Sequence, residues 1–310
     1  MTSVTTQPPP AHRKRRPKPN NAGFAPFVLL APAFLVIGVF AAYPLIRSIW
    51  MAFSDVSPFT GSTKFVGFQN FISVISDPGF TEYLGRTGVW VGGAVLLQLL
   101  GGLTLALLVN TTFPLRGVSR GLMMIPWATP SVLVALMWKW LLDPNSGVIN
   151  KVLLQLGLVD SPVEFLSSSS TALPTLIVID VWQGIPLFAV MILAALQSVS
   201  GDLKEAAATD GCGPLGIFRH VVLPAILPTV LITALLRIIW TANYVDLIFI
   251  LTGGGPGVSS ATLALQSYLT AYKATQFGPG AAYSVIQAAI LVVFVILYLH
   301  LTKKDEEARR

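Results

Sequence analysis

Polar and charged side chains stand where the sequence is otherwise most apolar. Residues 224–251 carry Arg237 near their middle, followed by Trp240, Asn243, Tyr244 and Asp246. Residues 173–197 carry Asp180 and Gln183 beside Trp182. A charge inside a bilayer costs ~2.5–3.5 kcal/mol or more, so such groups face protein or water. Two chemistries fit them. Aromatic faces with amide, phenol and carboxylate groups suit a polyol, whose apolar face stacks on rings while its hydroxyls take hydrogen bonds. An ion pair, Arg237 with Asp180 or with Asp246, would instead fix helix packing. On a 3.6-residue period Arg237, Trp240 and Tyr244, with Thr241, share one face.

The elements that must hold these groups are membrane helices. The chain has 310 residues, 54% hydrophobic and 11% charged, with mean hydropathy +0.71. A soluble domain carries roughly 25% charged residues. Apolar runs long enough to cross a bilayer occur at about 24–50, 88–110, 121–142, 173–197, 224–251 and 281–302, which predicts an all-α integral membrane protein of six spans. The segments are a basic tail 1–23, expected to be disordered, a permeation domain 24–302 and a charged tail 303–310. Pro126 and Pro130 should kink the third span, and Gly88 with Gly92 has the spacing of a close helix contact. A surplus of Lys and Arg, 13 on one side against 4 on the other, puts both termini in the cytoplasm. The net charge of +6 is explained by this topology and not by nucleic acid. Cys212 is the single cysteine, which excludes an internal disulfide.

Residues 202–224 form a long polar interruption between the fourth and fifth spans. Residues 203–209 read as a short helix, with Asp202 at its N-cap and Gly211, Gly213 and Pro214 ending it. A helix this short is marginal alone in water, so it is expected to dock on a partner through its small alanine face.

Glu205-Ala206-Ala207, then Gly211 and Val221-x-Leu223-Pro224, resemble the EAA loop of permeases of the ATP-binding cassette (ABC) importers, with Val221 in place of Ile. Tyr43-Pro44, the element Gly67-Phe68-Gln69-Asn70-Phe71, and Thr252-Gly253-Gly254-Gly255-Pro256 with Thr262 and Tyr268 resemble carbohydrate permeases, of the maltose/glycerol-phosphate first-permease type. Tyr272 stands where that type often has Phe. The resemblance covers nearly all of residues 24–302. It implies a type I ABC importer permease fold with a cytoplasmic coupling helix between the fourth and fifth spans. It also implies that Glu205, Ala206, Ala207, Asp210, Gly211, Leu223 and Pro224 serve ATPase coupling in a bacterial plasma membrane. The implied partners are a second homologous permease, two ATPase subunits that bind ATP and Mg, and an extracytoplasmic solute-binding protein. The implied solute is sugar-like, and alternating access is the implied mechanism.

No Lys follows a Gly in this chain, which excludes a phosphate-cradling GxxxxGK[ST] loop. No cofactor, metal or enzyme activity is expected of the chain itself. An ion-coupled carrier is the rival of a different class, with Asp180 and Asp246 as its relays. Glycerol-3-phosphate and amino acids are the alternative solutes.

Overall fold

The computed structural model describes residues 25–308, with side chains placed for 29–300 and 302. The basic tail and Phe24 lie outside the described residues. The chain divides into two units, Met1–Arg47 and Ser48–Arg310. The first contributes most of helix α1, which runs Ala25–Ile37, passes through a π-helical turn Gly38–Ala42 and continues as Tyr43–Ala52. Within it Arg47 Nη1 donates to Tyr43 Oη over 3.1 Å, which gives a charge inside an apolar helix a local partner.

The second unit opens on an antiparallel pair, β1 (Ser54–Val56) and β2 (Thr63–Phe65), followed by α2 (Gln69–Ile75). The Gly67-x-x-Asn70 element has a structural reason. Gly67 takes a positive φ of 61°, open to glycine without a Cβ penalty. Buried Asn70 donates to the carbonyls of Ala52 and Ser54 over 3.0 and 2.9 Å. These tie the start of the unit to Gly278, where a Cβ would lie 2.4 Å from Ser54 O.

Helix α3 (Phe80–Asn110) starts well before the expected residue 88. The third span is not a kinked rod. Helices α4 (Arg116–Ala128) and α5 (Ser131–Leu141) meet at 92° across Thr129-Pro130. Pro130 lacks an amide hydrogen and keeps the residue before it out of the helical region; Thr129 sits at ψ 128°. The turn after α5 is held by Asp143, whose Oδ1 accepts from the amides of Asn145 and Ser146 and from the Ser146 hydroxyl. These bonds hold its carboxyl below the usual carboxylate range. A short helix α6 (Val148–Gln155) precedes α7 (Ala172–Ser198).

Helix α8 (Gly201–Thr209) is present, with its cap two residues earlier than expected: the Ser200 hydroxyl accepts from Asp202 N, so Asp202 lies inside the first turn. Helix α9 (Pro214–Ala242) includes a π-helical turn at Phe218–Val222. The expected fifth span to residue 251 is broken at Asn243, and α10 (Asp246–Leu251) follows as a separate helix. Helix α11 (Leu263–Tyr268) ends in a π-helical turn, Leu269–Lys273. Helix α12 (Phe277–Ala308) runs on into the charged tail. Among the described residues, five helices are long and apolar enough to span a membrane, and the bent pair α4–α5 makes a sixth.

Two apolar cores sit along α3 and α7. One gathers Trp90, Val134, Leu176, Ile179, Leu247 and Leu265. The other gathers Ala106, Phe188, Ile192, Ile226 and Val230. The close approach of α3 to α7 depends on glycines other than the pair singled out by spacing. Nothing lies within 4 Å of a Cβ built at Gly88 or Gly92, whereas one at Gly102 would meet Phe188 Cβ at 2.3 Å and one at Gly184 would meet Gln98 Cδ at 2.3 Å. Overpacking such a contact costs about 1–3 kcal/mol. Gly184→Ala should therefore lower the thermal midpoint of the detergent-solubilised chain by several degrees, while Gly92→Ala should leave it unchanged. Differential scanning fluorimetry checks both.

Candidate functional site at the broken helices

Arg237 lies on α9, buried to 8% exposure among helices that offer it little else polar. Its Nη2 reaches Asp180 Oδ1 of α7 at 3.3 Å, and its Nε donates to Gln98 Oε1 of α3 over 2.8 Å. Gln98 Nε2 donates in turn to Asp180 O at 2.8 Å and to Asp180 Oδ2 at 3.0 Å. Gly184, one turn from Asp180 on α7, leaves room for this: a Cβ there would sit 2.7 Å from Arg237 Nη2. Three helices are thus joined by one neutral, buried network. Of the two ion pairs open to Arg237 in the sequence, the one with Asp180 forms.

The shared face expected for Arg237, Trp240, Thr241 and Tyr244 does not form. Arg237 and Thr241 are buried, Trp240 is 49% exposed, and Tyr244 lies beyond the helix end. The break at Asn243 frees carbonyls that a bilayer cannot satisfy. Neighbouring helices supply the donors. Trp90 Nε1 of α3 donates to Thr241 O over 2.9 Å, and Gln287 Nε2 of α12 donates to Ala242 O over 2.9 Å. Asn243 turns its Nδ2 to Ile239 O at 2.8 Å and accepts from Gln287 at 3.3 Å.

The other break is satisfied in the same way, and the two are connected. Gln183 Nε2 donates to Thr129 O at the α4–α5 bend, over 3.3 Å, and Gln183 Oε1 accepts from Tyr244 Oη over 2.7 Å. Asp246, exposed at the start of α10, accepts from Ser131 Oγ at 3.5 Å, at the start of α5. Gln183, Tyr244, Asp246, Ser131 and Thr129 therefore converge, partly open, where two helices are interrupted. Asp180 and Arg237 lie behind them. This is a set of hydroxyl, amide and carboxylate groups without a nucleophile–base pair. No group of three or more metal-ligating side chains occurs among the described residues.

Gln98, Trp90, Gln287 and Thr129 were not among the candidates read from the sequence. Gln98 and Gln287 carried a signal: an amide in mid-span has to find a partner. Trp90 and Thr129 carried none, because their part is set by where another helix stops.

Helix α8 ends by a defined device. Cys212 N bonds to Ala207 O and Gly211 N to Ala208 O, both at 3.0 Å, with Gly211 at φ +86°. This is the Schellman arrangement, in which the left-handed residue favours glycine. Glu205, Ala206 and Asp210 are exposed, and Ala207 is half-buried. Leu203 and Leu215 on either side are 57% and 79% exposed. Leu223 packs on the second core, and Pro224 lies half-buried beside it inside α9.

A family model described as the binding-protein-dependent transport system inner membrane component matches residues 98–304. The chain belongs to this family of ABC importer permeases. It is a membrane-embedded transport component and not an enzyme. It is 31% identical over 273 residues to the trehalose/maltose transport permease of Thermococcus litoralis, covering 88% of this chain and 92% of that one. It is 31% identical over 284 residues to the sulfoquinovosyl glycerol transport permease of Agrobacterium fabrum, covering 90% of each. The structure of a bacterial ABC transporter involved in the import of alginate matches with TM-score 0.79 at 22% identity, over 91% of this chain and 96% of that one. The fold is that of type I ABC importer permeases.

The permease's buried network makes a specific prediction. Arg237→Ala strands the Asp180 carboxylate, and breaking a buried pair from one side costs about 3–5 kcal/mol. The double variant Arg237→Met with Asp180→Leu removes both charges. Size-exclusion chromatography should show aggregation of the single variant and recovery of a monodisperse peak in the double. Equal behaviour of the two would contradict a packing role for the pair.

Proposed function

We propose that this permease forms the solute path of a sugar importer, and that α8 transmits the action of separate ATPase subunits into the spans. The observation that carries the path is the convergence of Gln183, Tyr244 and Asp246 between the bent span α4–α5 and the end of α9. Interrupted helices within a membrane domain commonly mark the binding site of a transporter, because irregular backbone is tolerated where it lines a cavity. Tyr244, Asp246 and Gln183 offer hydrogen bonds to hydroxyls, and exposed Trp240 and Asn243 flank them. Arg237 and Asp180 act from behind as the fixed frame. Relatives named for trehalose/maltose and for sulfoquinovosyl glycerol support a carbohydrate over an amino acid.

For α8, support comes from its exposure, its cap and its flanking leucines. A short helix with Glu205 and Ala206 exposed, and with Leu203 and Leu215 in the open, has the chemistry of a knob seated in a cleft. In the proposed assembly two ATPase subunits bind ATP and Mg and close on α8. A second permease completes the path, and an extracytoplasmic binding protein delivers the solute. A structural neighbour was determined with an alginate-pentasaccharide-bound periplasmic protein. Both termini and α8 lie in the cytoplasm in this reading, on the Lys and Arg distribution. The motion passed on is a rigid-body shift of the spans, which opens the path to one side at a time.

Glu205→Lys and Gly211→Pro should each lower ATP-driven uptake by about tenfold or more while the chain still inserts and assembles with its partner permease. Gly211→Pro acts by forbidding the positive φ. Uptake into proteoliposomes, read beside a pull-down of the complex, checks this; undiminished uptake would contradict the coupling role.

A further inference from the structure

Beyond the polar cluster, aromatic rings continue along the end of the unit that lies away from α8 in the chain's path. Helix α10 buries Leu247, Ile248 and Leu251 in the first core. Phe249, one turn from Asp246, is half-buried and packs at the edge of that core, as does Tyr268. The Phe249 ring meets Tyr268 at a centroid distance of 5.1 Å, and Tyr268 meets Tyr272 at 5.1 Å. Tyr272 then meets Phe277 at 6.0 Å. Lys273 Nζ stands 5.1 Å from the centroid of Phe249. Tyr272 is 66% exposed, and Phe249 and Tyr268 are half-buried. Tyr244 bonds to Gln183, Tyr283 to Asp77 and Tyr298 to Leu231, while the phenol of Tyr83, which makes no hydrogen bond among the described residues, is buried. The phenols of Tyr268 and Tyr272 make no hydrogen bond among the described residues.

A belt of aromatic side chains at a membrane surface would account for Tyr272. It would not account for a run that reaches back, ring by ring, to the residue one turn from Asp246. Pyranose sugars match the run chemically. Their C–H faces stack on rings, and their hydroxyls accept from free phenols and from an ammonium group. A phosphate has no C–H face to stack on these rings.

We propose that Phe249, Tyr268 and Tyr272, with Lys273, form a second subsite for a pyranose, which receives the solute before it reaches Tyr244 and Asp246. The inference rests on the reading of that polar cluster as the solute path. It adds an entry point to that path.

Saturation-transfer difference NMR on the full chain in lipid nanodiscs tests it, with methyl α-D-glucopyranoside as the probe and glycerol-3-phosphate as the control. Transfer to the C–H face of the glucoside is expected, with none to the control. The signal should fall by about threefold or more in Tyr268→Leu/Tyr272→Leu, and to a lesser degree in Tyr244→Phe. Tyr272→Leu alone, at an exposed position, guards against misfolding of the pair and should also weaken the signal. Glucoside should further slow nitration of Tyr272 by tetranitromethane in the native chain. A signal lost only in Tyr244→Phe would overturn the ring subsite and leave the polar path standing. A signal equal in all variants, or absent from the native chain, would overturn the subsite outright.

Discussion

A backbone carbonyl released inside a membrane domain has to be given a new donor, and this constraint organises the permease. One of its spans is bent sharply at Thr129-Pro130, and a full-length helix, α9, ends at Asn243. Each is tolerated because side chains from other helices reach the freed carbonyls: Gln183 to Thr129, Trp90 to Thr241 and Gln287 to Ala242. Those donors come from α7, α3 and α12, so the helix ends tie these three elements to α4–α5 and α9. The same arrangement leaves Tyr244, Asp246 and Ser131 partly open.

Rigidity behind the breaks comes from a different interaction. Arg237, Asp180 and Gln98 neutralise and satisfy one another across α9, α7 and α3. Glycines at 102 and 184 let the backbones approach closely enough for this to happen. Helices α3 and α7 thus form a close-packed pair beside the bent span α4–α5. Helix α8 is joined directly to both α7 and α9.

Much of this was legible in the sequence. The spans followed from hydropathy, and the bend of the third from two prolines. The end of α8 followed from Gly211, whose φ of +86° only glycine adopts at little cost. The break at Asn243 was not legible. Ala242-Asn243-Tyr244-Val245 contains neither Gly nor Pro, and an unbroken helical period placed Arg237, Trp240 and Tyr244 on one face. The helix stops there because Trp90 and Gln287, distant in sequence, compensate its end. The glycine pair Gly88 and Gly92 failed as a packing signal for a related reason: spacing gives a stripe on a helix but not the direction from which a neighbour comes. Arg237 could pair with Asp180 or Asp246 as far as the sequence went, and the packing of α9 against α7 and α3 brings it to Asp180 and Gln98.

The central claim is that the cluster at the two breaks faces a path that opens to alternate sides. It is tested most directly by cysteine labelling at Asp246. Cys212, which is exposed, is first replaced by serine, and Asp246→Cys is introduced into the assembled transporter. A membrane-impermeant maleimide is then applied from either side, in resting complex and in complex trapped with ATP and vanadate. The account predicts labelling from one side at rest and from the opposite side when trapped. Labelling from the same side in both states, or from neither, would contradict it.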